Sequence, residues 1–228
     1  MRKLIIVVCS LMLASLAQAQ NSTATSPTQY LAEKEDQMIL VITSDNWDKL
    51  PSYIKAKPIR SRGFNMLFMA ETMKSTASIG LGYGIGFSSQ NVHTDGIIVD
   101  TINNGLNSTL VPIPDSLGYE LNKLSLNFLT GALEFRIRTA ENEAGHRFKV
   151  SLGILGGLLL QSHTKYEDKD GKVKGYNVQH LNKFQFGATA RLGYGKFTLF
   201  GYYSFVDVFK EGRGIELTPY SIGLGLAL

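Results

Sequence analysis

Four charged residues in two alternating stretches have the types and spacing that could do chemistry. Glu134, Arg136 and Arg138 occupy every second position, so a β-strand would place their side chains on one face. Arg191 lies on the polar side of a later alternating stretch. Guanidinium groups beside a carboxylate can bind an anion or guide a small solute. The same side chains can also form a salt-bridge network that fills a narrow lumen, and we favour this structural role.

The chain offers little that resembles a hydrolase centre. A lipid-modifying enzyme needs a serine, a base and an orienting acid within hydrogen-bond reach. Ser162 and His163 are adjacent, and adjacent strand residues point to opposite faces, so they cannot pair directly. The remaining histidines fall in predicted loops or turns: His93, His146 and His180. We assign no catalytic residue and expect a protein that is not an enzyme.

Metal and cofactor sites are not expected either. The acidic stretch Glu167–Lys172 has some features of a calcium loop, but Lys172 stands where a third oxygen ligand would be needed. Asp170-Gly171 is typical of a hairpin tip, which is the interpretation we favour. The single cysteine, Cys9, lies in the predicted export signal, so the mature chain has no thiolate ligand, disulfide or cysteine nucleophile.

The first residues predict export. Arg2 and Lys3 precede an apolar stretch to about Leu16, and Ala17-Gln18-Ala19 matches a signal-peptidase site. We predict a signal peptide over 1–19 and a flexible periplasmic leader over 20–36. The formal net charge is +4, of which Arg2 and Lys3 contribute two, so a nucleic-acid partner is not expected.

Alternation of large apolar and small residues is the main structural signal. In Ser78–Ser88 the odd positions are large and apolar, while the even ones are glycine or serine. Tyr220–Leu228 follows the same design. A lipid-facing apolar surface and a crowded interior explain this pattern. A soluble sandwich or lipocalin-like barrel, the alternative, would have to expose the small-residue face to water.

The fold we predict is all-β: an eight-stranded antiparallel up-and-down transmembrane β-barrel over 37–228. The predicted strands are Gln37–Thr43, Ser61–Met73, Ser78–Ser88, Leu124–Ile137, Phe148–Lys165, Phe184–Tyr194, Phe197–Val208 and Tyr220–Leu228. Short turns alternate with longer loops, and an even strand number places both termini in the periplasm. The apolar positions change parity near Thr130-Gly131, which predicts a β-bulge there.

Short stretches in order along the chain resemble the PorT-like outer-membrane β-barrel domain common in the envelopes of Bacteroidota. They are Ser44–Trp47 with Leu50-Pro51, Arg60–Asn65, Gly80–Tyr83, Leu133–Thr139, Ala190–Gly195 and Pro219–Leu224. Two positions depart from the pattern: Ala132 replaces a frequent proline, and Leu228 replaces a frequent aromatic residue. The name-giving members belong to a protein secretion system, but resemblance to a fold does not transfer that role.

We therefore expect a non-enzymatic protein of a Gram-negative outer membrane with a structural or interaction role in the cell envelope. A link to a secretion assembly is a further hypothesis. The alternatives are a small-solute channel and, third, a lipid-modifying enzyme. The expected partners are outer-membrane lipid and an unidentified envelope protein.

Two motifs resemble O-glycosylation sites of Bacteroidota, Asp100-Thr101-Ile102 and Asp115-Ser116-Leu117.

Overall fold

The computed structural model describes residues 38–72, 78–102, 107–143, 145–169, 171–176 and 178–228. The predicted signal peptide and leader lie outside these ranges. The strands are β1 (Met38–Asp48), β2 (Arg62–Glu71), β3 (Ile79–His93), β4 (Gly96–Ile102), β5 (Asn107–Pro112), β6 (Leu121–Arg138), β7 (Phe148–Glu167), β8 (Lys172–Gly175), β9 (Phe184–Tyr194), β10 (Phe197–Ser204) and β11 (Thr218–Ala227). A short 3-10 helix covers Asp115–Leu117. No helix in the described ranges is both long enough and apolar enough to cross a membrane.

Eight of these strands form a closed antiparallel barrel in the order β1-β2-β3-β6-β7-β9-β10-β11. The last strand returns to the first, with Ile39 opposite Ala227, so the barrel sheet has no free edge. Strands β4 and β5 form a separate hairpin within one loop. Strand β8 pairs with the last four residues of β7 and is not part of the closed barrel. The predicted eight-stranded up-and-down barrel is confirmed.

The two ends of the barrel differ. Met38 and Leu228 exchange backbone hydrogen bonds of 3.0 and 2.8 Å at one end, which we call the turn end. The connections there are short: 72–78, 139–147 and 195–196. At the opposite end, the loop end, the connections are 49–61, 94–120, 168–183 and 205–217.

Several predicted strand boundaries were wrong. Strand β1 continues to Asp48, so Asp45 and Trp47 lie inside the barrel instead of in the first loop. Strand β3 continues to His93, whereas β10 already ends at Ser204. The alternating large apolar residues that guided the prediction stop where the lipid-facing surface stops. The hydrogen-bonded strands continue beyond that point with polar outward side chains.

The predicted change of parity was also wrong. Even-numbered residues of β6 face the interior along its whole length, including Leu124, Leu126 and Phe128. The register irregularity lies instead opposite Asn127 and Phe128, where β7 has an extra residue at Leu160. The apolar stretch of β6 faces inward because loops fold over this part of the barrel and supply apolar partners for it.

Outward side chains form a continuous apolar belt. On β3 it includes Ile79, Leu81, Tyr83 and Ile85, and β11 contributes Ile222, Leu224 and Leu226, all exposed. Beyond the belt, toward the loop end, the outward positions become polar, with Ser89 opposite Asn127 and Asn127 opposite Gln161.

Candidate functional site

The predicted lumen residues meet in a buried ion-pair network near the turn end. Arg191 donates to both oxygens of Glu134, with Nε–Oε1 3.0 Å and Nη2–Oε2 2.5 Å. Arg136 donates from Nε to Glu134 Oε2 at 3.2 Å and from Nη1 to Glu71 Oε2 at 3.2 Å. Arg138 also bonds the Glu71 carboxylate. The structure thus brings together all four predicted residues and adds Glu71.

Glycines on the neighbouring strands make room for these long side chains. Glu134 on β6 crosses Gly153 on β7 to reach Arg191 on β9, and a Cβ at Gly153 would come within 3.0 Å of Glu134 Cγ. A Cβ at Gly82 would come within 2.8 Å of Arg136 Nε. Glycine at inward positions is therefore a requirement of the network.

Sequence reasoning missed Glu71, although a signal for it exists. Glu71 lies at the end of β2, on the same inward parity as Leu67 and Met69. It lies within the predicted strand Ser61–Met73, and its parity in that strand is the signal that predicts an inward side chain. Its role depends on the register between β2, β3 and β6, which alternation does not specify.

A shallow recess opens beside this network. It has about 10 Å³ of free space, room for about one water molecule, and its lining includes Arg136, Lys149, Arg191 and Thr198. Within the described part of the chain, Nη2 of Arg136 is buried and has no hydrogen-bond partner. This space is too small for a carboxylate or phosphate, which favours the structural role of the network.

A second buried carboxylate lies nearer the loop end. Asp45 accepts hydrogen bonds from the Thr43 and Ser221 hydroxyls, both at 2.7 Å, and from the backbone N–H of Asn91 at 2.8 Å. Its side chain crosses β2 at Gly63, where a Cβ would overlap the carboxylate. Asp45 thereby links β1, β11 and β3.

The loop end of the interior is filled by an apolar core. We call this group of residues the loop-end core. It consists of Trp47, Ile54, Val92, Leu110, Leu124, Leu126, Phe128, Leu181, Val208, Phe209 and Leu217. All four loop-end connections contribute: Ile54 from the first, Leu110 from the second, Leu181 from the third and Leu217 from the fourth. The four loops are therefore packed onto the barrel, and the interior is closed on this side.

One polar cluster inside the loops contains the residue types of a hydrolase triad. Ser108 Oγ donates to Asp100 Oδ1 at 2.7 Å and lies 3.5 Å from His180 Nδ1. His180 adopts a positive φ of 60°, which is unusual for a non-glycine residue. The serine lies between the acid and the histidine, whereas a nucleophilic serine needs the histidine between itself and the acid. Ser108 is also 1% exposed, so a substrate cannot reach it.

Ser162 and His163, the adjacent pair with hydrolase residue types, lie elsewhere, and their side chains point to opposite faces of β7. Ser162 pairs with Leu126, an inward residue, whereas His163 pairs with Ser125 on the outward face. The His163 ring packs against Tyr176 with a centroid distance of 5.8 Å.

The closed barrel with its outward apolar belt agrees with a comparison with protein families. A family model described as "Outer membrane protein beta-barrel domain" matches residues 56–210, more than half of the chain. The chain belongs to this family of outer-membrane β-barrel proteins. Comparison with curated proteins found no match, and neither did comparison with solved structures.

Membership in this family explains the exposed apolar belt of the barrel. The exposed apolar belt is the lipid-contacting surface, since lipid cannot satisfy a polar outward side chain. The ion-pair network and the loop-end core both lie inside the barrel, so neither faces lipid. An outer-membrane location also accounts for a chain that exposes so many large apolar side chains when isolated.

Proposed function

We propose that this protein is a closed, non-conducting outer-membrane barrel with a structural or interaction role in the cell envelope. The loop-end core carries the proposal. Because apolar side chains from all four loops pack against Leu124, Leu126 and Phe128 of β6, the loops form a folded surface instead of an open mouth. A surface of fixed shape favours recognition of a partner, since little ordering is needed on binding.

Two layers of the interior argue against the small-solute channel. The Arg–Glu network fills the lumen near the turn end, and the loop-end core fills it near the loops. Between them lie apolar side chains such as Ile39, Leu67 and Phe200, all buried. An eight-stranded barrel leaves an interior just wide enough for side chains.

We also propose that the protein is not an enzyme and that it needs no cofactor. The inaccessible Ser108 and the opposed faces of Ser162 and His163 support this view. We further propose that the protein is a PorT-like barrel of a Gram-negative envelope. It would be exported with a signal peptide that is cleaved after Ala19. The ordered motifs support that assignment, and they motivate a link to a secretion assembly.

For the membrane orientation, we propose that the turn end and both termini face the periplasm. The contrast between short connections at 195–196 and long ones at 94–120 supports this orientation, since outer-membrane barrels keep their turns short on the periplasmic side. The long loops would then face outward, where a partner can reach them.

Two measurements on the full-length protein test the proposed function. Planar-bilayer recording should give no conductance above that of protein-free bilayers, and steady single-channel currents would overturn the closed-barrel proposal. A mild-detergent pull-down from native outer membranes should recover the same envelope protein reproducibly.

A pair of variants tests whether the loop surface binds the partner. Ile59 and Leu117 are exposed apolar residues in the first and second loops, with 85% and 58% of their surface accessible. Replacing both with serine should weaken recovery of the partner without altering the barrel, whereas Lys196→Gln at the turn end should leave recovery unchanged. Recovery of the barrel alone in every preparation would contradict the interaction role.

A further inference from the structure

A row of basic residues crosses four neighbouring strands in register. His93 on β3 lies directly opposite Lys123 on β6, which lies opposite Lys165 on β7, which lies opposite Lys174 on β8. We call Lys123, Lys165 and Lys174 the lysine ladder. Their positions have the outward parity of their strands, on the side of the barrel that continues from the apolar belt.

Such a row is unfavourable without an anion. Like charges directly opposite on neighbouring strands destabilise a sheet. Among the described residues, one carboxylate lies within salt-bridge distance of the ladder: Glu167, at 3.0 Å from Lys165 and also 2.8 Å from Lys172. The Lys123 ammonium instead donates to the neutral side-chain oxygen of Asn91 at 2.9 Å. The ladder therefore keeps an excess of positive charge.

The pKa values of two groups in this row reflect the excess positive charge. Burial, together with the charges of Lys165 and Lys174, lowers the pKa of Lys123, which lies beyond the membrane-spanning belt. Burial also lowers the pKa of His93 to about 4, with Lys123 and Arg60 adding to the effect. Arg60 in the first loop bonds the backbone oxygen of Glu120, just before β6. Cations from one loop and three strands thus converge on one side of the barrel.

The height of the ladder above the lipid belt identifies the kind of anion. Two outward positions on β3, Ser89 and Asn91, separate Phe87, a belt residue, from the ladder row at His93. At 3.3 Å per residue and the usual strand tilt, this places the ladder about 15 Å above the last apolar row. A glycerophospholipid headgroup layer is about 5–7 Å thick on each side of the hydrocarbon. Lysine side chains can shorten the gap, but a headgroup that reaches them must be tall.

On the opposite side of the loop end, the residues that the structure describes form no such row. There Asp207 and Glu216 lie near Lys49, which bonds Glu216 at 3.4 Å and whose pKa these two acids raise. An anionic surface would therefore interact with one side of the barrel more strongly than with the other. This asymmetry provides a control that leaves the ladder intact.

We infer that the lysine ladder binds an anionic glycolipid whose phosphate groups are carried on sugars above the acyl chains. The belt holds the acyl chains beside β3, β6 and β7, and the three ammonium groups meet the phosphates of the same lipid. Ser89, Asn127 and Gln161 lie between belt and ladder and offer hydrogen bonds to the sugars.

The test uses the full-length protein refolded in phosphatidylcholine vesicles. One set of vesicles contains a minor fraction of lipopolysaccharide with its phosphorylated inner sugars, and a second set contains an equal charge of phosphatidylglycerol. The ladder variant carries Lys123→Gln, Lys165→Gln and Lys174→Gln. The control variant carries Lys49→Gln, Lys196→Gln and Lys210→Gln, which remove the same charge elsewhere. Binding is measured as lipid retained per barrel and as the shift in unfolding midpoint.

The expected result has two parts. The ladder variant should bind the glycolipid on the order of 100-fold more weakly, since each lysine contributes roughly fivefold near an anionic surface. In phosphatidylcholine alone the same variant should be at least as stable as the wild type, because the repulsion is gone. The control variant should bind like the wild type.

Three outcomes would overturn the inference. Equal glycolipid binding by ladder and control variants would show that the charges act nonspecifically. Equal retention of phosphatidylglycerol and glycolipid by the wild type would remove the selection by height. A ladder variant that is less stable than wild type without any anionic lipid would mean that the row is structural. None of these outcomes bears on conductance or on partner recovery.

Discussion

Arg191 and Glu134 form a two-point ion pair inside the barrel, although β7 lies between their strands. The distances are 3.0 Å and 2.5 Å, and the side chains are 5% and 2% exposed. Gly153 on β7 lets the Glu134 side chain pass. Removing one partner of a buried ion pair leaves an uncompensated charge, so this contact should dominate the stability of the turn end.

Glu134→Gln should therefore destabilise the barrel by about 3–5 kcal/mol. The substitution keeps the shape but leaves Arg136 and Arg191 without their shared carboxylate. Urea unfolding in lipid vesicles measures the effect. Glu216→Gln is the matched control: it breaks an ion pair whose glutamate side chain is 75% exposed, and it should leave the unfolding midpoint close to that of the wild type. Similar midpoints for the two variants would refute the assigned importance of the network.

Gly82→Ala should cost about 1–3 kcal/mol because the new methyl group would press on the Arg136 guanidinium. The added Cβ would lie 2.8 Å from Nε and 2.9 Å from Cζ of that side chain. Gly131→Ala is the control, since its Cβ would meet nothing closer than 3.8 Å. The same unfolding assay compares them. A Gly82→Ala protein as stable as the control would mean that Arg136 can move aside at no cost.

Arg136→Ala should lower the unfolding midpoint and leave the bilayer conductance at the baseline. The stability falls because Glu134 and Glu71 each lose one cationic partner. The conductance does not rise because the loop-end core, with Trp47 and Leu217 buried in it, still closes the lumen. Single-channel recording at both membrane polarities checks this point. A clear rise in conductance would mean that the charged network, and not the loops, is the barrier.

Lowering the pH should destabilise the protein partly through His93. Burial, with Lys123, Arg60, Lys57 and Lys165 adding their charge, lowers the pKa of His93 to about 4 from its ordinary 6.5. Between these values the unfolded chain takes up a proton that the folded barrel does not, so folded stability is lost as the pH falls from about 6.5 toward 4. Above 6.5 this group has no effect.

His93→Gln should make the unfolding midpoint less dependent on pH between 7 and about 4. The quantity to compare is the difference between wild type and variant at each pH, because carboxylates elsewhere titrate equally in both proteins. Parallel curves for the two proteins would exclude His93 as a contributor.

Much of the barrel follows from local sequence. Alternation assigned the outward face of Tyr220–Leu228 and the inward face of Glu134, Arg136 and Arg191, since a strand's two faces differ by one residue. It also predicted the closed topology, because no soluble sandwich can expose such large apolar surfaces. The chemical character of one face was therefore readable wherever lipid was its partner.

The alternation pattern gave the wrong face for the part of β6 near the loop end, because the inward side chains there are apolar. Leu124, Leu126 and Phe128 were assigned outward because large apolar residues elsewhere face lipid, yet they meet apolar side chains from the loops. The alternation in one strand shows which residues share a face. It does not show whether lipid or loop side chains contact that face. Loop residues such as Leu181 and Leu217, far apart in sequence, reach that core through the fold alone.

The sequence by itself determined the alternation, the residues that must avoid lipid, and the presence of one carboxylate and three guanidiniums on inward positions. The tertiary structure decided which of these meet. Strand register places Glu71 against Arg136 and Arg138, seats Asp45 beside Ser221, and aligns Lys123, Lys165 and Lys174 in one row. Register is a property of pairs of strands, set by hydrogen bonds between distant segments, so a single strand's sequence does not contain it.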